Sequence, residues 1–375
     1  MNDGPHWKEQ RTATLSILKQ LGMGKNILAE DITQECQEYL KAIGEAEGNP
    51  QDIKGVTFIS ITNVICALAL GQRYDYDDSR FKRIIGIMHH SFTTILSLKA
   101  MILNVWPVLH YVPGDFFNVK LMKDNRVELD QMILDFFKNG NSKSFIANYI
   151  IQQEIKENKG QNTSLDDKNL VKICEDLLGA GSDTTASTLM FFVLYMILYP
   201  DVQEKMFQEI NTHIGTERTP TLADKKNLKY VNAAIFETQR MGNVVPIGIV
   251  HKASRDTWFK GYRIPKDTSV VGCLTSIMFD EEIWGPDVDS FRPERFLDDA
   301  GNLKSFGQHI PFCIGRRACP GEALAKMVMF IYVTSMCQRF KFLPEVDGQK
   351  PEVGEINSLT RCPTPYRVRV VDRRL

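Results

Sequence analysis

The sequence contains no Cys-x-x-Cys pair. Its eight cysteines, Cys36, Cys66, Cys174, Cys273, Cys313, Cys319, Cys337 and Cys362, are scattered along 375 residues. That spacing argues against a structural zinc site, and so few cysteines in so long a chain argue against a disulfide framework. Those inside apolar runs, such as Cys66 and Cys337, read as small buried hydrophobes of a reducing compartment. An excess of one charge is also missing. The net charge is −1, so there is no basic stripe for nucleic acid. Long apolar runs are absent too. The longest is the eleven residues from Leu189 to Tyr199, closed by Pro200, whereas about 20 are needed to cross a bilayer. The opening Met-Asn-Asp-Gly-Pro-His-Trp shows no charged leader followed by an apolar run, so no signal peptide is expected. Gly22-Met23-Gly24-Lys25 lacks the earlier glycine and the following Ser/Thr of a phosphate loop. No internal repeat and no low-complexity linker occur.

What is there reads first as helices. Apolar periodicity with stop signals predicts helices over Trp7–Leu21, Ile32–Ala46, Ile53–Leu70 (ended by Gly71), Asp78–Leu98, Lys120–Lys138 and Phe145–Asn158. Leu165–Tyr199 follows, with Gly179 and Gly181 in its middle, then Asp201–Gly215, Leu228–Met241 and Glu322–Gln338. Short β-branched segments, Ile247–His251, Thr257–Tyr262 and Ser269–Thr275, predict strands, and Tyr366–Val371 reads as an edge strand. The expectation is one domain over residues 1–375, mainly α with a small β portion.

Chemistry concentrates in Pro311-Phe312-Cys313-Ile314-Gly315-Arg316-Arg317-Ala318-Cys319-Pro320-Gly321. Cys319 lies just before a helix, and Pro320 suits the first helical position. A sulfur there meets the positive end of the helix dipole and nearby amides, which favour thiolate. Gly315 and Gly321 let backbone pass close to something flat, and Arg317 supplies a fixed cation for carboxylates. Together these describe a haem socket, in which an axial thiolate favours O–O cleavage. The plain alternative is a buried cysteine before a helix. Cys313, in the loop body, reads as packing.

Phe312-x-x-Gly315-x-Arg317-x-Cys319-x-Gly321 resembles the haem-binding signature of the cytochrome P450 superfamily. Five fixed residues at fixed spacing should occur by chance in on the order of one chain in 10⁴. The resemblance runs nearly end to end and is greatest to the animal microsomal, family 2-like class, whose members hydroxylate drugs, fatty acids and steroids. It implies the cytochrome P450 fold, haem b (iron protoporphyrin IX) and Cys319 as the iron ligand. It further implies that Glu237, Arg240 and Arg295 form a buried ion network of structural role, although Glu-x-x-Arg alone reads as a solvated i,i+3 pair. Ala180-Gly181-Ser182-Asp183-Thr184-Thr185 matches the family's Ala-Gly-x-Asp-Thr-Thr motif. Locally that stretch reads as a helix end at Gly181, with Asp183 capping a second helix. The resemblance implies instead a continuous helix with Ala180 near the cofactor and with Asp183 and Thr184 delivering protons for dioxygen activation. Trp7-x-x-x-Arg11 matches the helix that reaches a haem propionate. His251 and Arg317 are implied as further propionate partners.

The implied reaction inserts one oxygen atom of O₂ into an apolar organic substrate. Val244 to Ile249 and Leu359 are expected to wall the pocket. Electrons are expected from NADPH through NADPH–cytochrome P450 reductase, with cytochrome b5 as a second donor and Arg316 and Lys326 as contacts for an acidic partner face. The expected setting is the cytosolic face of the endoplasmic reticulum membrane. The anchor, the first helices and part of the β-sheet that family members carry are expected to be missing from this sequence, and membrane attachment would come from them. Two other readings remain: a haem-thiolate isomerase or dehydratase of peroxides, against which Asp183-Thr184 argues, and a non-catalytic truncated isoform.

Overall fold

The computed structural model describes residues 3–95, 102–103, 106–112, 114–139, 143–357 and 360–374. The expected C-terminal end of the fourth helix (residues 96–98) and Leu359 lie outside them.

Helices supply most of the structure. They are α1 (Gly4–Gln20), α2 (Asn26–Gly44), α3 (Lys54–Leu70), α4 (Ser79–Ile95), α5 (Val119–Asn139), α6 (Phe145–Asn158), α7 (Asp167–Leu198), α8 (Pro200–His213) and α9 (Lys229–Gly242). Two short helices, α10 (Leu274–Met278) and α11 (Glu281–Trp284), precede α12 (Glu322–Arg339). Local chemistry sets their ends. Gly71 closes α3 at φ +71, a left-handed conformation that favours glycine. Asp166 accepts the Asn169 N–H at 2.7 Å and opens α7.

The 32-residue α7 is continuous through Gly179 and Gly181. The local expectation of a break at Gly181 therefore fails, and the implication of the family resemblance holds. Gly181 serves packing instead: a Cβ there would lie 2.9 Å from Ile65 Cδ1, so glycine permits the close approach of α3. By length and composition α7 could cross a membrane, but 67% of its most apolar stretch is buried inside the fold. α12 is likewise buried on nearly every side from Leu324 to Cys337, as an all-round apolar helix must be. It packs against α2, α7, α8 and α9. Cys66 and Cys337 are buried free thiols, as expected.

The β portion departs further from expectation. One antiparallel sheet has the order β1 (Pro50–Gln51), β9 (Val368–Asp372), β6 (Phe340–Pro344). The C-terminal strand is thus central and not an edge. Its Val368 and Val370 face the core, and it pairs with Pro50 and Gln51 on one side and with residues 340–344 on the other. The expected strand Thr257–Tyr262 is a hairpin of β3 (Thr257–Phe259) and β4 (Tyr262–Ile264). It turns at Lys260 and Gly261, both at positive φ, as a tight hairpin turn requires. The outer two strands shrink to β2 (His251–Lys252) and β5 (Ser269–Val270). Gly248 and Gly272 face each other there and continue the pairing irregularly, through one bond of 2.8 Å and an isolated Ile247–Cys273 bridge. β7 (Glu355–Asn357) and β8 (Arg361–Pro363) form a last hairpin along α7.

Candidate functional site

The cysteine loop folds on itself just before α12. The N–H of Cys313 reaches the carbonyl of Ile310 at 3.0 Å, and that of Cys319 reaches Phe312 at 2.9 Å. Gly315 has φ +83 and opens a single 3-10 turn through Arg317. The first helical bond runs from Ala325 N to Gly321 O at 2.9 Å. Gly321 is therefore the cap, and Pro320 precedes the helix instead of starting it. Cys319 is exposed at the surface although the loop crowds its sulfur. That crowding raises the thiol above its ordinary range, while the Gly321 N–H and the charge of Arg11 pull the other way. Cys313, half-buried, sits in the left-handed region at φ +57.

Helix α1 brings two more groups to this loop. Arg11 lies one turn beyond Trp7, and its Nη2 donates to the carbonyl of Ala318, the residue before Cys319, at 2.6 Å. Arg317 stacks on the Trp7 indole with its guanidinium carbon 3.6 Å from the ring centre, and Arg11 lies 5.8 Å from the same centre. Trp7, Arg11, Arg317 and Cys319 thus converge from segments more than 300 residues apart in sequence. His251 is on the exposed strand β2, opposite Val270. Phe312 is half-buried beneath Lys326, whose Nζ already donates to Glu322 at 2.6 Å. Arg316 is exposed.

Along α7, Ala180 is exposed and Gly181 and Thr184 are partly so, whereas Thr185, Ala186 and Ser187 are buried. The Thr184 hydroxyl donates back to Ala180 O at 2.8 Å, and Thr188 donates to Thr184 O at 2.8 Å. Asp183 accepts a hydrogen bond from the Thr360 hydroxyl through Oδ2. Val244 is buried and its carbonyl accepts from Arg361 N at 2.8 Å, while Ile249 is exposed.

Glu237, Arg240 and Arg295 meet in a dry cluster. Glu237 accepts from Arg240 Nε at 2.7 Å and Nη2 at 2.9 Å, from Arg295 Nε at 2.9 Å and from the Arg292 N–H at 3.0 Å. Arg240 also donates to the carbonyls of Met278 and Val288, and Arg295 to those of Trp284, Asp287 and Ser290. Arg292 holds the Asp287 carboxyl down at about 2. Beside the cluster, Phe236, Trp284, Phe296 and His309 pack ring to ring.

Sequence reasoning passed over His309 and Thr360. His309 sits two residues before the cysteine loop with no motif to mark it. A lone threonine bonded to an aspartate 177 positions away leaves no local trace.

The donor set fits a haem. Cys319 offers an accessible sulfur, two guanidinium groups beside an indole suit carboxylates, and Ala180 leaves a small-residue spot on α7 for a flat ring. The family model described as Cytochrome P450 matches residues 1–370. Human cytochrome P450 2U1 is 37% identical over 384 residues, covering 99% of this chain and 69% of that protein. Rabbit (Oryctolagus cuniculus) cytochrome P450 2C3 is 34% identical over 98% of this chain and 76% of its own length. Human cytochrome P450 2D6 is 34% identical over 99% and 75%. The site and these matches define a haem-binding oxidoreductase of the monooxygenase class. The chain belongs to the cytochrome P450 family.

Proposed function

We propose that the chain oxygenates apolar organic molecules (drug-like compounds, fatty acids or steroids) with electrons from NADPH delivered by NADPH–cytochrome P450 reductase, cytochrome b5 serving as a second donor, at the cytosolic face of the endoplasmic reticulum membrane. The observation that carries this reading is the convergence of Arg11 and Arg317 on Trp7 beside Cys319. Haem held there supplies the iron chemistry by which one oxygen atom of O₂ enters the substrate and the other leaves as water. Cys319 Sγ ligates the iron, and the Gly321 N–H steadies that sulfur. Arg11 and Arg317 bind the two carboxylates, with Trp7 as a shelf that fixes the angle of Arg317, and His251 is a further carboxylate partner. Phe312, Gly315 and Gly321 would shape the loop that holds the haem, and the small side chain of Ala180 would leave it room.

Asp183 takes protons from water and Thr184 Oγ passes them to the open face of α7. Val244 and Ile249 border the substrate. Glu237, Arg240 and Arg295 hold the scaffold on which the cysteine loop rests. Arg316 and Lys326 present positive charge on the cysteine side, which suits an acidic reductase face.

The test is the spectrum of the reduced, CO-bound protein. A strongly red-shifted Soret band is expected, and Cys319→Ala should abolish it. A band that survives this substitution removes Cys319 as ligand. Thr184→Ala should keep the band but release peroxide at the expense of product when reductase and NADPH are supplied; unchanged coupling refutes its proton role.

A further inference from the structure

The C-terminal hairpin and the residues that follow it grip α7 along one face. Thr360 donates to Asp183, Cys362 lies beside Ser187, and the Tyr366 hydroxyl donates to Met190 O at 2.6 Å. These α7 positions are spaced i, i+4 and i+7, the period of a single helical stripe. The same hairpin is tied to the segment after α9 by Arg361 N on Val244 O at 2.8 Å. Thr360 is itself buried, at 7% exposure. Its hydroxyl therefore has little water to bond with, and the carboxylate of Asp183 is its acceptor. Thr184, one residue on, turns its hydroxyl into its own helix at Ala180 O. The two polar groups of the motif are thus held by different elements, Thr184 by α7 and Asp183 by the hairpin.

We propose that Thr360 is a positioning residue for proton delivery. Its hydroxyl fixes the orientation of the Asp183 carboxylate relative to Thr184, so the hairpin beside the substrate wall at Val244 sets how well protons are supplied. This inference rests on the assignment of Asp183 to proton supply. A charged acceptor held by a hydroxyl donor is well oriented (charge-assisted bonds are the short, strong ones). Without the donor, the carboxylate loses a bond that fixes its orientation.

The experiment compares Thr360→Val, Thr360→Ala and Thr360→Ser in the full haem-loaded chain. The first readout is infrared: the Asp183 carboxylate band, isolated as the difference from Asp183→Asn. It should shift in the Val and Ala variants and stay in place with Ser. The second is peroxide released per NADPH oxidised with reductase. Roughly a tenfold rise is expected with Val or Ala, a fraction of what a general acid contributes, and the original level with Ser. Should Val not fold, Ala carries the comparison. An unmoved band in the variants lacking the hydroxyl overturns the inference. Raised peroxide in Asp183→Asn but not in Thr360→Val or Thr360→Ala overturns the positioning role alone. Unchanged peroxide in Asp183→Asn overturns the proton assignment of Asp183, and the inference with it.

Discussion

The Arg317 guanidinium carbon lies over the Trp7 indole, 3.6 Å from its centre, and so ties the first helix to the cysteine loop. A guanidinium stacked on an indole has its plane fixed, which suits it to a planar carboxylate. Trp7→Leu should therefore leave the fold intact but release haem about tenfold faster, measured by transfer to apomyoglobin, in line with the ~1–2 kcal/mol of such a stack. Arg317→Lys should act in the same direction, because an ammonium cannot stack and fork at once. Release at the parent rate in both variants would remove the shelf role of Trp7.

Glu237 has no exposed surface and satisfies two buried guanidinium groups. Removing its charge strands both. Glu237→Gln should cost about 3–5 kcal/mol in denaturant unfolding, the penalty for an uncompensated buried charge. Arg292→Ala, on the exposed rim with a side chain 46% accessible, should cost about 1 kcal/mol or less. Similar losses in the two variants would show that burial is not what gives the cluster its weight.

These residues also show what could be read from the sequence. The cysteine loop was legible because its residues lie within ten positions of one another, and the end of α3 followed from its cap Gly71. The approach of Arg11 to Ala318 was not, since contacts across 307 positions follow from topology alone; only the family resemblance put Trp7 and Arg11 near the loop. The strands were overread for a related reason. Propensity marked Ile247–His251 and Ser269–Thr275, but pairing sets strand length, and beyond β2 and β5 it continues only irregularly, through the opposed Gly248 and Gly272. Val368 looked like an edge residue because arginines alternate with the valines. Strands on both sides accommodate those arginines, with Arg369 reaching back to the Pro344 carbonyl at 3.1 Å.

His309 predicts a pH dependence. It is enclosed by Phe236, Trp284 and Phe296, with a ring nitrogen 3.1 Å from Phe236 O. Burial, helped by the positive charges of Lys326 and Arg240, pushes it down to about 4 against the opposing pull of that carbonyl. An unfolded histidine titrates near ~6.5. Above that pH both states are neutral and the contribution is complete. As pH falls from about 6.5 to about 4 the unfolded chain binds the proton first, so stability declines, by about 3 kcal/mol in all. Asp287, held low by Arg292, loses its contribution only below about 4, outside this window. Urea unfolding at pH 7.5 and 5 should show the loss in the parent protein. His309→Phe, which suits the aromatic cage, should lose clearly less between the two pH values. An equal loss in both proteins would place the titration elsewhere.

The contact of Gly181 with Ile65 gives a prediction with a built-in control. A Cβ on Gly181 would stand 2.9 Å from Ile65 Cδ1 and 3.1 Å from Cγ1. Cδ1 is the mobile end of the side chain, but Ile65 is buried in the core at 4% exposure, which limits where it can go. Against the clash stands the helix propensity that alanine gains over glycine, about 1 kcal/mol. Overpacking of this kind costs about 1–3 kcal/mol, so Gly181→Ala alone should destabilise by about 1 kcal/mol. Ile65→Val deletes Cδ1 and should itself cost about 1 kcal/mol. In the double variant the alanine no longer meets that methyl, and Gly181→Ala should become stabilising. A double-mutant cycle in denaturant should therefore return a favourable coupling of about 1–2 kcal/mol. Simple additivity would mean that α3 and α7 can separate at this crossing without strain, and that the missing side chain at Gly181 is not what lets α3 lie so close.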